Sequence, residues 1–362
     1  MSEVRFLPMD GRESDARMDD LLAPFKSELV FRERDLIGLK IHPGEKDNRS
    51  HLTPSELSDV LKALELPEGR TFLMDTTVLY RGSRMTAPEY VRLSREHGFV
   101  PPETPPLLVM DGLRGTDETE VSLPESCSTR VARMARGFGD VDWMIVVSHF
   151  KGHALAGFGG AIKNLGMGCA SRGGKLFMHS NVLPTVREDK CIACGACATH
   201  CPVGAIEVDD HAILDAETCI GCGECLQRCP TGALSVSWNQ ASGTFNRRLA
   251  EYALAATVLC RTVLYVNLVA RVTPNCDCMA GEERPLVADQ GILVSADPVA
   301  VDQASLDLVT AAPALPDSGL GEEAGPGVDK FRIRWPDTDG TVQLSVAERI
   351  GLGSRSYDLA KV

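Results

Sequence analysis

The sequence predicts an α/β fold whose mostly parallel sheet is interrupted by a cysteine-rich α+β insertion. Short apolar runs typical of buried strands alternate with segments of helical periodicity on both sides of the insertion. Within the insertion, one cysteine motif occurs twice. Because the alternation of strands and helices is the same on both sides, we expect the two flanks to fold as one domain. The predicted divisions are residues 29–184, 185–237 and 238–350.

The first flank contains four apolar runs that predict strands, with helical segments between them. Thr53, Pro54 and Glu56 indicate the start of a helix, because a threonine N-cap and a glutamate three residues later satisfy free N–H groups. Residues 1–28 are expected to be a lead-in with little regular structure. The predicted strands are 36–42, 71–75, 107–111 and 141–148, and the predicted helices are 53–64 and 88–97.

The second flank repeats this pattern and ends in a surface segment, residues 313–330, that is rich in proline, glycine and glutamate. In parallel sheets, ligands bind just beyond the carboxyl ends of the strands. The polar residues at those ends are His42, Asp75, Asp111, Ser148 and His149. The elements predicted in this flank are a helix at 247–260, strands at 263–269 and 291–295, and a helix at 299–309.

The charge of the chain argues against a nucleic-acid partner. Its 362 residues carry a formal net charge of −13, and an acidic surface repels a phosphate backbone. No run approaches the roughly 18 apolar residues that predict a membrane-spanning helix, and residues 1–22 lack the apolar core of a secretion signal. We therefore expect a cytoplasmic protein without a membrane partner, whose electron donor is a redox protein with a basic patch.

Residues 191–230 contain the motif C-x2-C-x2-C-x3-C-P twice. This doubled spacing is typical of bacterial ferredoxins that hold two [4Fe–4S] clusters. Three cysteines of one run bind a cluster there, and the fourth ligand comes from the other run because the proline turns that cysteine away from its own loop. The first predicted cluster has the ligands Cys191, Cys194, Cys197 and Cys229, and the second has Cys219, Cys222, Cys225 and Cys201.

Other interpretations of these eight cysteines fit less well. Structural zinc sites use four ligands in two pairs, and disulfides require an oxidising compartment that nothing in the sequence indicates. Between the two runs, residues 205–208 and 212–214 predict a short hairpin with an acidic turn. The insertion is therefore predicted to be a ferredoxin-like module.

A second candidate site lies in the glycine-rich residues 148–179, where lysines favour an anion and glycines let backbone amides approach it. Two alternatives stay open: a loop that only packs beneath the insertion, and a metal held by two of its histidines, His149 and His153. The candidates for proton transfer and anion binding are His149, Lys151, His153 and Lys163, with Asn164 and Arg172 as possible further site residues.

Cys276 and Cys278 are separated by one residue, so an extended loop would present both thiols on the same side. Such a pair suits soft metal ligation or redox exchange. We expect it to lie near the active region. The remaining cysteines, Cys127, Cys169 and Cys260, are expected to be core or incidental thiols.

Several of these stretches together resemble the "domain of unknown function 362" iron–sulfur proteins, over about residues 30–310. The resemblance implies an α/β domain, two [4Fe–4S] clusters and redox work, with the ferredoxin module as an insertion that many members carry. The matching stretches are Ile37-x-Leu39-Lys40-x-His42-x-Gly44-Glu45, Asp75 to Tyr80-Arg81-Gly82, Ser148-x2-Lys151-x-His153, Gly160-Ala161-x-Lys163-Asn164-x-Gly166, Cys276-Asp277-Cys278, Asp289-x-Gly291 and Asp297-Pro298-Val299-Ala300-x-Asp302.

These observations lead to a functional hypothesis. The protein is expected to be an oxidoreductase that relays low-potential electrons through two [4Fe–4S] clusters to a pocket for a small anionic substrate. In that hypothesis Lys151, Lys163 and Arg172 hold the anion, and His149 or His153 supplies protons. A non-catalytic electron carrier with a docking domain, or a protein that delivers a metal or cofactor during maturation, is the alternative.

Overall fold

The structure is a computed structural model, and it describes residues 1–9, 15–180, 183–236, 238, 240–321 and 323–362. Residues 10–14 of the predicted lead-in and residue 237 of the predicted insertion lie outside the described residues. The strands are β1 (Ser2–Pro8), β2 (Ile37–Lys40), β3 (Thr71–Asp75), β4 (Leu107–Val109), β5 (Glu118–Ser122), β6 (Val131–Ala135), β7 (Trp143–His149), β8 (Lys151–His153), β9 (Gly157–Gly159), β10 (Thr185–Val186), β11 (Ile206–Val208), β12 (Ala212–Leu214), β13 (Leu234–Ser235), β14 (Thr262–Val269), β15 (Gly291–Ser295) and β16 (Tyr357–Lys361). The α-helices are α1 (Asp15–Lys26), α2 (Pro54–Leu64), α3 (Ala87–Glu96), α4 (Ala161–Gly166), α5 (Arg172–His179), α6 (Ala196–Thr199), α7 (Glu224–Arg228), α8 (Ser242–Leu259), α9 (Pro298–Ala311), α10 (Lys330–Arg334) and α11 (Thr341–Arg349).

Eight strands form the central sheet, in the order β16, β1, β15, β14, β7, β2, β3, β4. From β14 to β4 all neighbours run parallel, and β16 runs parallel to β1. Only β15 pairs antiparallel, with β1 on one side and β14 on the other. The prediction of an α/β fold with a mostly parallel sheet is confirmed.

Alternate side chains of the central strands enter two separate hydrophobic cores. On β7, Met144 and Val146 belong to one core, and Ile145 and Val147 belong to the other. This is the alternation that a strand buried on both faces requires. Helices α4, α8 and α9 contribute buried residues to the first core, and α1, α2 and α3 contribute to the second. Helices therefore cover both faces of the sheet.

The expectation of an unstructured lead-in is wrong. β1 pairs with β15 and with the C-terminal strand β16, and α1 follows it. Val4, Phe6 and Leu7 are buried although charged residues precede and separate them. A strand needs an apolar side chain only where its face meets a core, so the mixed charge of this stretch concealed its strand character. Both β1 and β16 lie outside the predicted range 29–350.

Several local predictions agree with the structure. α2 begins at Pro54, and Thr53 and Glu56 form the predicted capping box. β3 and β15 have the predicted bounds. The β5–β6 and β8–β9 hairpins and the helices α10 and α11 are not predicted from the sequence. The hairpin strands have only three to five residues and so carry little periodicity. The predicted surface segment at 313–330 instead contributes Leu320 to the first core.

The insertion is built from short paired strands and two helical turns. β10 pairs with β13 where the chain enters and leaves it, and β11 and β12 form the predicted hairpin. A third hydrophobic cluster joins cysteines of both runs to Leu79 and Leu176 of the flanking α/β region. The insertion therefore packs against the same part of the chain that carries the second candidate site. Its limits, residues 185–237, stay a prediction.

Candidate functional site

The eight cysteines of the repeated motif line two cavities in the insertion. Each cavity combines three cysteines of one run with the last cysteine of the other run, which is the arrangement that the spacing predicts. One cavity is lined by Cys191, Cys194, Cys197 and Cys229, and the other by Cys219, Cys222, Cys225 and Cys201.

Backbone amides point at the sulfur atoms in the same way in both runs. The N–H of Ala205 donates to Sγ of Cys201 at 3.2 Å, and the N–H of Ala233 donates to Sγ of Cys229 at 3.2 Å. In each pair the donor follows the cysteine by four residues. Hydrogen bonds of this kind stabilise negative charge on sulfur and are one way in which proteins tune iron–sulfur clusters.

Several of these thiols resist ionisation when no cation is present. Burial, reinforced by neighbouring cysteine sulfurs, raises the pKa of Cys225 to about 12. Burial also raises the pKa of Cys197 and of Cys222. Thiolates this close repel one another, and a metal between them removes that penalty. The residues of each cavity therefore fit the four-thiolate ligand set of a [4Fe–4S] cluster.

A larger pocket of about 560 Å³ lies at the carboxyl ends of β2, β3 and β7. His42, Asp75, Ser148 and His149 line it, as expected for a parallel sheet. Asp111 does not line the pocket. Its carboxylate accepts hydrogen bonds from the N–H and the hydroxyl of Thr77, and burial raises its pKa.

Five cationic side chains line this pocket, and three of them face a carboxylate. Lys40 lies 2.8 Å from Asp75, Lys151 lies 2.9 Å from Asp277, and Arg84 lies 3.2 Å from Glu45. Among the described residues, no carboxylate forms such a pair with Lys163 or Lys175. The positive charge of the pocket therefore exceeds the negative charge around it. The five cations are Lys40, Arg84, Lys151, Lys163 and Lys175.

Lys163 and Lys175 are the two cations whose protonation the protein opposes. Burial and the nearby ammonium of Lys151 lower the pKa of Lys163 to about 7. Burial also lowers the pKa of Lys175 to about 8, although Asp111 opposes the change. Lys175 still donates to the hydroxyl of Thr76 and the carbonyl of Ala170. An anion bound between these lysines would restore their charge, and lysines perturbed in this way cluster at functional sites.

His149 is held on both sides and has no free ring nitrogen. Its Nδ1 lies 2.9 Å from the carboxylate of Asp277, and its Nε2 lies 2.8 Å from the carbonyl oxygen of Ala270. Although burial opposes ionisation, His149 and Lys151 hold the pKa of Asp277 well below its usual range. This geometry disfavours the hypothesis that His149 and His153 together bind a metal, because protein oxygens already occupy both ring nitrogens of His149.

His153 is placed differently. Its Nδ1 accepts hydrogen bonds from the N–H groups of Leu155 and Ala156 at 3.1 and 3.0 Å. The neutral ring therefore carries its proton on Nε2. Burial and the charge of Lys163 lower the pKa of His153 well below its usual value, so the ring stays neutral. His153 can thus donate one N–H to a ligand in the pocket.

Cys276 and Cys278 line the same pocket and are joined by a disulfide bond. Both cysteines therefore lie at the pocket that His149, Lys151, His153 and Lys163 also line. The ammonium of Lys163 lies 3.9 Å from Sγ of Cys276. One donor atom each of His153, Cys276 and Cys278 lies within 4.8 Å of the others, so the three side chains form one group at the pocket.

Two of the proposed further site residues have other surroundings. Asn164 lines the pocket, but its amide is engaged by the ammonium of Lys40, the carbonyl of Val147 and the hydroxyl of Ser148. The expectation that Arg172 reaches the pocket is wrong. Its guanidinium donates to Thr77 and to the carbonyl of Met85, and its side chain lies against Gly223 in the second cysteine run.

Arg84, Lys175 and Asp277 lie at or beside the pocket and are not predicted from the sequence. Arg84 donates to Nε2 of His42 at 2.8 Å as well as to Glu45, and so it links its own segment to residues 42–45. Arg84 lies in an irregular segment with no motif around it. Asp277 lies inside the Cys276–Cys278 pair, so its position in that motif is the one feature that could have drawn attention to it.

Comparison with known proteins places the chain in a family. A family model described as "Domain of unknown function (DUF362)" matches residues 37–307, which include both sheet flanks and the insertion. The chain belongs to this family. The matched residues include those that line the pocket, the disulfide and both cysteine runs, and the family description assigns no chemistry to them. No curated protein matches the sequence.

Among solved structures, the lactate racemase apoprotein from Thermoanaerobacterium thermosaccharolyticum is similar to the DUF362 chain. The two are 12% identical with a TM-score of 0.37, and the match covers 75% of this chain and 51% of that one. The chain thus spans about half the length of the racemase. Within the described part of the chain, no helix has both the length and the apolar character that crossing a membrane requires.

Proposed function

We propose that this DUF362 protein is an iron–sulfur oxidoreductase that passes low-potential electrons to a small anionic substrate. The observation that carries the proposal is the pairing of two four-cysteine cavities with an adjoining cationic pocket. Cysteines of both runs and Leu79, which also lines the pocket, belong to one hydrophobic cluster. Two [4Fe–4S] clusters held by the two quartets would supply one-electron transfer.

The pocket supports an anionic substrate because its unpaired charge is positive. Lys163 and Lys175 gain a partner when an anion binds, while Lys151 is held in place by Asp277. Of the two predicted histidines, His153 is the better hydrogen-bond donor to a substrate, because its Nε2–H is free of the backbone bonds that occupy Nδ1. His149 is a positioning residue in this proposal, since it fixes the carboxylate that holds Lys151.

Metal analysis tests the cluster part of the proposal. Protein purified without oxygen is expected to contain about eight iron and about eight sulfide per chain. Reduction with dithionite should then give the electron paramagnetic resonance signal of reduced clusters. Iron-free protein in which zinc fills the cysteine cavities would overturn the proposal.

Reoxidation kinetics test whether the protein is an enzyme. Dithionite-reduced protein is mixed with small acceptors that carry a carboxylate, and cluster absorbance is followed. An oxidoreductase is supported by an acceptor for which the reoxidation rate saturates with acceptor concentration in the wild type and does not saturate in Lys163→Met. A protein that reduces only another redox protein would instead be an electron carrier, and transfer of its iron to an apoprotein would indicate a maturation role.

A further inference from the structure

We propose that Cys276 and Cys278 form a redox-active disulfide that collects two electrons at the wall of the pocket. The proposal rests on the proposed function, because the electrons are to arrive through the cysteine-rich insertion. It adds a step that the cysteine quartets do not provide. Each [4Fe–4S] cluster exchanges one electron at a time, whereas a disulfide accepts two together.

The position of the bond argues against a structural role. A disulfide contributes to stability mainly by closing a loop in the unfolded chain, and the contribution grows with loop length. Here only Asp277 separates the two cysteines, so the loop is too short for much gain. Both sulfur-bearing residues also line the 560 Å³ pocket, where a ligand can reach them.

The surroundings of Cys276 suit a thiolate. The ammonium of Lys163 lies 3.9 Å from its Sγ, and the N–H of Cys278 donates to the same sulfur at 3.3 Å. A cation and an amide N–H both stabilise negative charge on sulfur. Lys163 has no carboxylate partner among the described ion pairs, so its charge is available to Cys276 when the bond opens.

Two consecutive residues connect the insertion to this pair. The guanidinium of Arg81 donates to the carbonyl oxygen of Cys229, a predicted cluster ligand, at 2.8 Å. The hydroxyl of Tyr80, the preceding residue, lies 3.4 Å from the carbonyl oxygen of Cys278 and 3.0 Å from Glu45. The side chains of the dipeptide therefore contact the backbone of one cysteine at each redox group of the proposal.

The chemistry balances as a disulfide reduction. The S–S bond breaks on taking up two electrons from a low-potential one-electron donor that acts through the predicted clusters. One proton gives a thiol at Cys278 and a thiolate at Cys276 beside the Lys163 ammonium, and a second proton gives the dithiol. Closing the bond again returns two electrons and two protons to a two-electron acceptor.

Reductive titration of iron-loaded protein, with alkylation as the readout, tests the proposal. The full chain is titrated with dithionite under argon, then denatured and treated with iodoacetamide, and the peptide containing both cysteines is examined by mass spectrometry. We expect about four electrons taken up per chain, two by the clusters and two by the disulfide. Both cysteines should become alkylated only after reduction. The double variant Cys276→Ser/Cys278→Ser should take up about two electrons and keep its iron.

A matched control uses the same chain after its iron has been removed by a chelator. Dithionite should open the disulfide at least about tenfold more slowly in this sample, while a phosphine reductant opens it in both. Equal rates with and without iron would overturn the proposal. So would a disulfide that persists in protein whose clusters are visibly reduced, and this result would leave the proposed function intact.

Two further outcomes also decide the question. If both thiols are alkylated before any reductant is added and one zinc per chain is lost in Cys276→Ser, the pair is a metal site with His153 and the proposal fails. If the purified and reconstituted chain holds no iron and sulfide, the proposed function fails and this proposal fails with it. Iron analysis distinguishes that case from a failure of the disulfide alone.

Discussion

The guanidinium of Arg81 donates a hydrogen bond to the carbonyl oxygen of Cys229 at 2.8 Å, and a second one to that of Pro230 at 3.1 Å. Arg81 follows β3 of the α/β region, whereas Cys229 ends the second cysteine run. The insertion is therefore tied to the pocket-bearing region by a charged donor. Arg133 makes a similar contact with the carbonyl of Ile220 at 2.9 Å.

Replacing Arg81 by alanine should loosen this contact without removing iron. Charge-assisted hydrogen bonds are worth roughly 1.5–3 kcal/mol each, so local opening around residues 229–232 should become easier by about that amount. Hydrogen exchange of those amides measures the change. Arg187→Ala is the matched control, because Arg187 forms an exposed pair with Asp189 at 3.4 Å that contributes at most about 1 kcal/mol. Equal exchange rates in both variants would refute the prediction.

Serine substitution should show which cysteines share a cluster. Cys191→Ser and Cys229→Ser should each lose about four iron and leave the same remaining cluster, as judged by its electron paramagnetic resonance signal. Cys201→Ser should instead resemble Cys219→Ser. Cys127→Ala is the control, since Cys127 is buried in the first hydrophobic core and should keep all iron. If Cys229→Ser resembles Cys219→Ser, each run holds its own cluster and the assignment across runs is wrong.

Anion binding should weaken as the pH rises through the pKa of Lys163, which burial and Lys151 lower to about 7. The ammonium is present below that pH and is lost above it, so affinity for an anion falls on the alkaline side. Sulfate is the suitable probe in calorimetry, because its own charge stays constant between about pH 6 and about pH 8.

Lys163→Met should bind sulfate about tenfold more weakly than the wild type at about pH 6, since one charge-assisted contact is lost. The affinity of this variant should also depend less on pH. The pH dependence that remains should come from Lys175, because burial lowers its pKa to about 8. Lys46→Met changes an exposed lysine and should leave binding unaltered. Equal affinity of wild type and Lys163→Met at about pH 6 would contradict an anion site at this lysine.

Asp302 is predicted to stabilise the fold beneath the pocket. Its buried carboxylate accepts hydrogen bonds from the N–H groups of Ala161 and Ile162, where α4 begins, and from the amide of Asn267. Asp302→Ala leaves these donors unsatisfied and should lower the free energy of unfolding by about 3–5 kcal/mol. Denaturant unfolding measures this change. Asp317→Ala, which removes an exposed pair with Arg284, should change it by no more than about 1 kcal/mol.

The pH dependence of the free energy of unfolding provides an independent check on Asp302. Burial raises the pKa of Asp302 to about 6, above the value of about 3.9 that an unperturbed aspartate has. Between these values the folded chain binds a proton that the unfolded chain has released, so the contribution of Asp302 to stability falls as the pH rises. Asp302→Asn cannot ionise, so its stability should fall less than that of the wild type over this range. Parallel pH profiles of the two proteins would show that Asp302 has an ordinary pKa.

The sequence by itself determined the features that short stretches of chain encode. The apolar runs of β3 and β15, and the capping signals of Thr53 and Glu56, act on their immediate neighbours, and the structure has these elements at the predicted bounds. The eight cysteines could likewise be sorted into two quartets, because their doubled spacing matches the two-cluster ferredoxin pattern, in which the last cysteine of each run serves the other cluster. Each quartet lines one cavity.

Only the tertiary structure decided which distant side chains meet in the pocket. Lys40, Arg84, Lys163 and Asp277 come from separate parts of the chain, and nothing in local periodicity records that they converge. The fold also placed Arg172 outside the pocket and bonded Cys276 to Cys278. It brought the two chain ends together as β1 and β16. These outcomes depend on packing and on charge balance among residues far apart in sequence, and such interactions leave no repeating pattern along the chain.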